Sequence, residues 1–253
     1  MIRLIAGELR KLFNTRLWLW LLLGSVGLTA LYASLAIAFS GDPDNPTAPL
    51  TSPEGQRTVF SVGQGAGALV AVLGAIGYTG EFRHRTATTT FLATPHRWRV
   101  LLAKLITYPV VGAAYGVVCL TVTSVLAVSW LSAKGIAVSP WRNGIPGTMA
   151  GVVVAVALFG ALGVGLGALL REQVATVVGL LVYLFVAEPI VTRIPALQDW
   201  TRYLPSSASA ALTRIAQAGQ EYLLPWQGGL VLAGYAVAFA VIAALLTARR
   251  DVT

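Results

Sequence analysis

Six stretches of this sequence are long, apolar and almost free of charged side chains. A helix that crosses a bilayer needs about 20 such residues, because each residue advances the helix by about 1.5 Å. The stretches therefore predict six transmembrane helices, at residues 17–39, 58–80, 105–131, 147–170, 173–194 and 228–248. The fifth stretch is the least regular, because Glu188 and Pro189 interrupt it near its end.

The composition excludes an ordinary soluble domain. Hydrophobic residues make up 56% of the 253 residues and charged residues 11%, whereas soluble domains have about 25% charged residues. A chain of this size has too small an interior to bury that much apolar surface in water. The segments between the spans are too short to form a catalytic domain. We therefore expect a single all-α integral membrane domain over residues 1–253.

Basic residues are distributed unevenly between the two sets of loops. Six spans place both termini on one side, and that side has twelve Lys and Arg residues and four acidic residues. The other side has six basic and six acidic residues. The positive-inside rule therefore predicts cytoplasmic termini and a multi-pass protein of the bacterial inner (cytoplasmic) membrane. The net charge of +8 is explained by this topology and does not indicate nucleic-acid binding.

The segment before the first span, residues 1–16, is predicted to form an amphipathic helix. Apolar residues recur at helical spacing on one face, and the other face has Glu8, Arg10 and Lys11. Such a helix is expected to lie in the membrane interface. Two roles stay open for it, namely anchoring to anionic lipid and contact with a cytoplasmic partner.

The loop after the second span, residues 81–104, is the most informative segment of the chain. Thr94 followed by Pro95 predicts the start of a helix that continues through Arg97 and Lys104 into the third span. A short charged helix in this position suits docking to a partner protein. The alternative is a solvated basic loop that reflects membrane topology alone.

The segment between the fifth and sixth spans, residues 188–227, contains four prolines and several Trp and Tyr residues. It is too apolar for a free loop and too broken for a span, which favours a helical hairpin that re-enters the outer leaflet. Residues 206–217 are its expected helix. Glu188 is expected to be a partly hydrated interfacial carboxylate. Together with Gln64 and Tyr183, it is a candidate for a transport path or gate.

Sequence motifs for several kinds of chemistry are absent. The sequence has no G-x-x-x-x-G-K-[ST] phosphate-binding loop, no H-E-x-x-H and no C-x-x-C. Both histidines, His84 and His96, lie in the loop 81–104, and the one cysteine, Cys119, cannot form an internal disulfide. We therefore expect that this chain is not an enzyme and that it binds no metal or cofactor.

Two runs of the sequence resemble bacterial ABC-2-type transporter permeases. One is Glu8-Leu9-Arg10-Lys11-Leu12, followed by Thr15-Arg16-Leu17-Trp18 at the start of the first span. The other begins with Glu81-Phe82-Arg83-His84-Arg85-Thr86 and ends with Leu92-Ala93-Thr94-Pro95 and the residues up to Lys104. The family pattern there is an acidic residue, a nearby Thr, a Leu-x-x-Pro run and a Lys that enters the third helix. The sequence departs from it at Arg85, where a Gly before the Thr is common.

The resemblance covers the layout of the whole chain and implies the transmembrane subunit of an ABC exporter with a type V exporter-like fold. Two permeases would pair as a homodimer or heterodimer, and each would dock on a separate P-loop ATPase that binds ATP and Mg²⁺. Residues 1–16, with Glu8, Arg10 and Lys11, would form the connecting helix beside the ATPase. The implied coupling residues are Glu81, Phe82, Arg83, Arg85, Thr86, Pro95, Arg97 and Lys104.

The resemblance further implies export of a lipophilic, drug-like, peptide or lipid-linked substrate from the cytoplasm. Two alternative functions stay open. One is an ion-coupled or facilitative transporter that needs no ATPase, and the other is a membrane scaffold or sensor subunit that moves no substrate. The scarcity of charged residues inside the spans counts against ion coupling.

Overall fold

The computed structural model describes residues 1–40, 48–83, 97–138, 140–214 and 223–249. Within these ranges the chain is helical and forms no strand. Shorter helical turns connect some of the α-helices: 3-10 turns at Val62–Gly65 and Pro195–Leu197, and a π turn at Tyr183–Ala187. In chain order, the α-helices of the described residues are α1 Ile2–Asn14, α2 Leu17–Ala38, α3 Pro53–Ser61, α4 Ala66–Arg83, α5 Arg97–Ala133, α6 Ile145–Leu170, α7 Gln173–Val182, α8 Glu188–Val191, α9 Gln198–Thr201, α10 Pro205–Thr213 and α11 Pro225–Arg249.

Six helical segments of the described chain are long and apolar enough to cross a membrane, which confirms the predicted all-helical architecture with six spans. They comprise α2, α3 with α4, α5, α6, α7 with α8, and α11. Two of them extend well past their predicted bounds. The second runs from Pro53 to Arg83, and the helix of the third begins at Arg97. A span predicted from hydropathy ends at the first charged residue, whereas the hydrogen bonding of the helix continues beyond that residue.

Helices α4 and α6 form the centre of the bundle, and the other spans pack around them. Glycine allows the two central helices to approach closely. A Cβ added to Gly163 of α6 would lie 1.9 Å from the carbonyl oxygen of Ala71 in α4. By contrast, α2, α7 and α11 have large apolar side chains on their outward faces. Such faces suit contact with lipid, whose tails are as apolar as these side chains.

The fifth span is continuous, which corrects the expected interruption at Glu188 and Pro189. The helix proceeds from α7 through the π turn Tyr183–Ala187 and directly into α8. Proline has no N–H, and its ring clashes with the preceding turn of a regular α-helix. The π turn ends at Ala187, two residues before Pro189, so the helix contains the proline without an interruption.

The short helix α10 is buried almost throughout its length. It packs against α6 and α11, where glycines leave room for its backbone. A Cβ added to Gly151 would lie 2.0 Å from the carbonyl oxygen of Leu212. The expected helix 206–217 is therefore shorter than predicted, since α10 ends at Thr213 and Arg214 takes a left-handed conformation. The last residues of that prediction, and part of the expected hairpin 188–227, lie outside the described residues.

The two ends of the bundle differ in character. At one end, which we call the α1 end, α1 contacts the start of α5 near the end of α4. At the other, the α10 end, α10 lies among the starts of α6 and α11 and the end of the fifth span. Each end has a group of buried polar side chains.

Candidate functional site

Three helices, α1, α4 and α5, meet around the side chain of Lys104 at the α1 end. Lys104 lies two turns inside α5, because that helix begins at Arg97. Its side chain is 1% exposed, so its charge is removed from water. Glu8 comes from α1 and Glu81 from the last turn of α4. The cluster therefore joins parts of the chain that are far apart in sequence.

The ammonium group of Lys104 has three acceptors for its three N–H donors. It donates to a carboxylate oxygen of Glu8, to Oε1 of Glu81 at 2.8 Å and to the carbonyl oxygen of Gly77 at 2.9 Å. A lysine ammonium has three donors and no acceptor, so this set satisfies it completely. Both carboxylates are themselves largely buried.

Lys11 is the second cation of the cluster and lies at its edge. Its Nζ atom is 2.9 Å from Oε1 of Glu8 and 2.9 Å from Oε1 of Glu81. Partial burial lowers the pKa of Lys11, but the hydrogen bonds and Coulombic attraction of Glu81 and Glu8 outweigh it, so the pKa is raised above its ordinary value. With two lysines and two glutamates, the cluster has no net charge.

This neutrality allows four charged side chains to lie at a buried helix junction. Removing charges from water costs several kcal/mol per ion, and only close pairing with full hydrogen bonding compensates for that cost. Removing one partner from such a buried pair costs about 3–5 kcal/mol, because the other charge stays buried and unpaired. We therefore interpret the cluster as a rigid joint between α1, α4 and α5.

The position of Glu8 corrects the expected orientation of α1. The sequence predicts Glu8 on the polar, solvated face, yet this side chain is buried and faces the bundle beside Leu12. Apolar side chains of the same helix, including Ile2 and Phe13, are exposed. Helix α1 is amphipathic as predicted, but part of its charged face packs inward because Lys104 provides a counter-charge there.

Gly77 of α4 lies beside the cluster at a position that leaves no room for a larger residue. Gly77 offers the third acceptor to Lys104 through its carbonyl oxygen, and it lies against the buried ring of Tyr108. A Cβ added to Gly77 would lie 1.7 Å from the phenolic oxygen of Tyr108. The aromatic ring occupies the space that any larger residue at position 77 would need.

Phe82 and Arg83 follow the cluster at the end of α4 and point away from it. The ring of Phe82 stacks on Tyr78 with centroids 5.7 Å apart, and the guanidinium of Arg171 lies 6.0 Å from its centroid. Arg83 is exposed. The turn between α6 and α7 therefore lies beside the end of α4, so a second loop contributes to the surface of the α1 end.

Glu172 in that turn caps α7. Its side chain accepts hydrogen bonds from the N–H groups of Val174, at 3.1 Å, and Ala175. The N–H groups of Ala175 and Val174 lower the pKa of the Glu172 carboxyl below its ordinary value. The cap explains why α7 begins only two residues after the left-handed Arg171.

The remaining predicted coupling residues are placed as follows. Arg10 is exposed on α1 and takes no part in the cluster. Arg85, Thr86, Pro95 and the predicted helix start at Thr94 lie outside the described residues. Arg97 begins α5. Of the predicted residues, the structure thus brings together Glu8, Lys11, Glu81 and Lys104.

A second polar group lies at the α10 end and corrects the expectation for Glu188. That carboxylate is 1% exposed, not partly hydrated. It accepts hydrogen bonds from the backbone N–H of Ser206, at 2.6 Å, and from its hydroxyl, at 2.9 Å. Glu188 therefore caps the N-terminus of α10 from the neighbouring span, and the N–H and hydroxyl of Ser206 are its hydrogen-bond donors.

Gln64 contacts the same short helix further along its length. Its Oε1 atom accepts hydrogen bonds from the hydroxyls of Ser209 and Thr213, both at 3.1 Å. Tyr183, the third candidate for a path or gate, is partly exposed in the π turn and lies within electrostatic range of Glu188. Sequence reasoning identified Gln64 and Glu188 but not their hydroxyl partners on α10.

Comparison with known proteins does not identify the chain. No protein-family model matches it, and no curated protein matches it. Within the described ranges, no group of three or more His, Cys, Asp or Glu side chains is placed to bind a metal ion. The functional interpretation therefore rests on the two polar groups and on the sequence resemblance.

Proposed function

We propose that this chain is the permease subunit of an ATP-driven ABC exporter. It would pair with a second permease, of its own or another kind, and dock on a separate P-loop ATPase. The substrate would be a lipophilic, drug-like, peptide or lipid-linked molecule that leaves the cytoplasm. In this proposal the α1 end is cytoplasmic and the α10 end faces outward.

The observation that supports the proposal is the buried cluster of Glu8, Lys11, Glu81 and Lys104. A permease that is driven by a separate ATPase needs a rigid connection between its docking surface and its transmembrane helices. The cluster joins the interfacial helix to the second and third spans, and its residues Glu81 and Lys104 begin and end the segment 81–104, which the resemblance implies as the coupling segment. A loop that reflected topology alone would not require buried, fully paired charges at its base.

In the proposed mechanism, the cluster transmits the movement of the ATPase to the transmembrane helices. ATP binding closes the two ATPase subunits, and the end of α4, with Phe82 and Arg83, moves with them. Because α1, α4 and α5 are joined at the cluster, they move together. The close glycine contacts between α4 and α6 pass the displacement to the centre of the bundle, since packed interfaces shift between discrete arrangements rather than deform continuously.

Extraction of the tagged chain from its own host in mild detergent, followed by mass spectrometry of the co-purifying proteins, tests the proposal. We expect a stoichiometric P-loop ATPase in a complex of about two permeases and two ATPases. The exposed residue Arg83 provides a specific variant, because Arg83→Glu reverses a charge on the proposed docking surface. This variant is expected to lose most of the ATPase while it stays in the membrane.

Arg142→Glu is the matched control, since Arg142 is equally exposed but lies at the α10 end, just before α6. It should retain the ATPase. If the wild-type chain is recovered alone from several mild detergents, the exporter proposal is wrong. A gradient-driven transporter would then be tested by substrate uptake with and without a proton or sodium gradient.

A further inference from the structure

Glu188 of the fifth span forms hydrogen bonds with the first turn of helix α10. We propose that Glu188 is a latch that keeps α10 closed against the bundle, and that the π turn Tyr183–Ala187 is the hinge that releases it. As an account of an outer gate, this inference rests on the proposed transport function. The latch itself is a property of the chain and can be measured without any partner.

The contacts of Glu188 suit a latch. Its two carboxylate oxygens accept from the backbone N–H and the hydroxyl of Ser206, so both are directed at the first turn of α10. Among the described residues, no Lys or Arg forms an ion pair with it. Its attraction to α10 therefore depends on correctly aimed N–H and O–H dipoles, and these interactions weaken steeply with misalignment.

The π turn determines where Glu188 is aimed. The backbone N–H of Glu188 donates to the carbonyl oxygen of Tyr183, five residues earlier, in place of the α-helical partner four residues earlier. A π turn accommodates one extra residue, so conversion to regular α-helix would rotate the residues after it by roughly 100°. Such a rotation would turn the carboxylate away from Ser206. Pro189 has no N–H in either form, so the conversion loses no hydrogen bond from that residue.

The other contacts of α10 are made mostly by small side chains and by its backbone. Most of its residues are Ser or Ala, and its backbone rests on Gly151 of α6 and Gly228 of α11. Small side chains bury little apolar area, so they contribute little of the attraction that holds a helix in place. The hydrogen bonds of Glu188 and Gln64 add to this packing in holding α10 against the bundle.

Cysteine accessibility on α10 measures the latch. Ala210 is buried in α10 and becomes the reporter as Ala210→Cys, in a background where Cys119 is replaced by Ala. The purified chain in lipid nanodiscs is treated with a membrane-impermeant maleimide. With Glu188→Ala we expect labelling to be about ten- to a hundredfold faster, which corresponds to the loss of two hydrogen bonds. Glu188→Gln keeps one acceptor oxygen and should give an intermediate rate.

Glu172→Ala is the matched control, because Glu172 also caps a helix N-terminus with its carboxylate, but at the α1 end. Its labelling rate should equal that of the parent chain. The latch is overturned if Glu188→Ala and Glu188→Gln label at the parent rate, or if Glu172→Ala accelerates labelling equally. Each variant is compared as monodisperse protein, and Glu188→Gln preserves side-chain size where the alanine variant fails to fold.

Deletion of Val186 tests the hinge. Removing one residue from a π turn restores a regular α-helix without rotating the residues after it. The carboxylate of Glu188 should therefore stay directed at α10, and the conversion that would turn it away from α10 should no longer be possible. Labelling at or below the parent rate supports the hinge, and labelling as fast as in Glu188→Ala contradicts it. These assays contain no ATPase and no substrate. Failure of the latch therefore leaves the exporter proposal standing, and absence of an ATPase leaves the latch standing.

Discussion

Lys104 donates a hydrogen bond to Glu8, a residue 96 positions earlier in the chain, and the two side chains are both buried at the α1 end. This pair attaches an interfacial helix to the third span. Glu81 and Lys11 complete a neutral set of four charges. The structure thus uses ion pairs where the exposed apolar residues of α1 cannot provide attachment, because those face away from the bundle.

Replacement of Lys104 by methionine is expected to destabilise the chain by about 3–5 kcal/mol, since Glu8 and Glu81 would keep buried charges without their central partner. Thermal unfolding of the purified chain in detergent measures this loss. Lys134→Met is the control. Lys134 is exposed, and its one hydrogen bond to the described part of the chain goes to the carbonyl oxygen of Ile37, at 3.0 Å, so its replacement should change the free energy of unfolding by about 0.5 kcal/mol or less. Equal effects of the two substitutions would contradict the assignment of the cluster as a joint.

Gly77→Ala and Gly80→Ala form a second comparison on a single helix. At Gly77 the added methyl group would overlap the phenol of Tyr108, and overpacking of this kind costs about 1–3 kcal/mol. At Gly80 no atom lies within 4 Å of the added Cβ, so the higher helix propensity of alanine should make that variant as stable as the parent or more so. Chemical denaturation measures both. A stable Gly77→Ala protein would show that Tyr108 can leave its place beside the cluster.

The stability contributed by Lys11 is expected to be lost at alkaline pH. Its pKa in the folded chain is raised above the ordinary value of 10.5. Its ion pairs therefore contribute fully below pH 10.5, and this contribution disappears as the pH rises through the folded-state pKa. Arginine stays protonated throughout this range, so Lys11→Arg should remove that part of the pH dependence. Unfolding temperatures between pH 8 and pH 12 provide the measurement, and identical slopes for the two proteins would count against this role of Lys11.

The number of spans was predictable because the energetic penalty for charged groups inside a bilayer leaves long uncharged runs in the sequence. The amphipathic pattern of residues 1–16 likewise predicted α1. The bounds were less predictable. Hydropathy alone starts the third span after Lys104, whereas α5 is helical from Arg97 through Lys104 into that span, as the Thr94-Pro95 pattern predicted. The charge of Lys104 is neutralised there by Glu8 and Glu81, which hydropathy does not take into account.

The partners of the candidate residues could not be predicted from periodicity. A helical pattern shows that Glu8 lies on a charged face, but not that a lysine from another helix faces it. Glu188 was identified as a possible gate residue, and its burial was missed because proline suggested an interrupted, hydrated helix end. The π turn has no simple sequence signature, so the alignment of Glu188 with Ser206 emerges only in three dimensions.

Glu8 and Lys104 are separated by 96 positions in the sequence, and this separation has a consequence for biosynthesis. At about 5–20 residues per second, Lys104 leaves the ribosome roughly 5–20 s after Glu8. During that interval the charges of α1 lack their buried partner, so this helix must wait in contact with water while the first two spans enter the membrane. Helix α1 is therefore fixed in place only after the third span has been inserted.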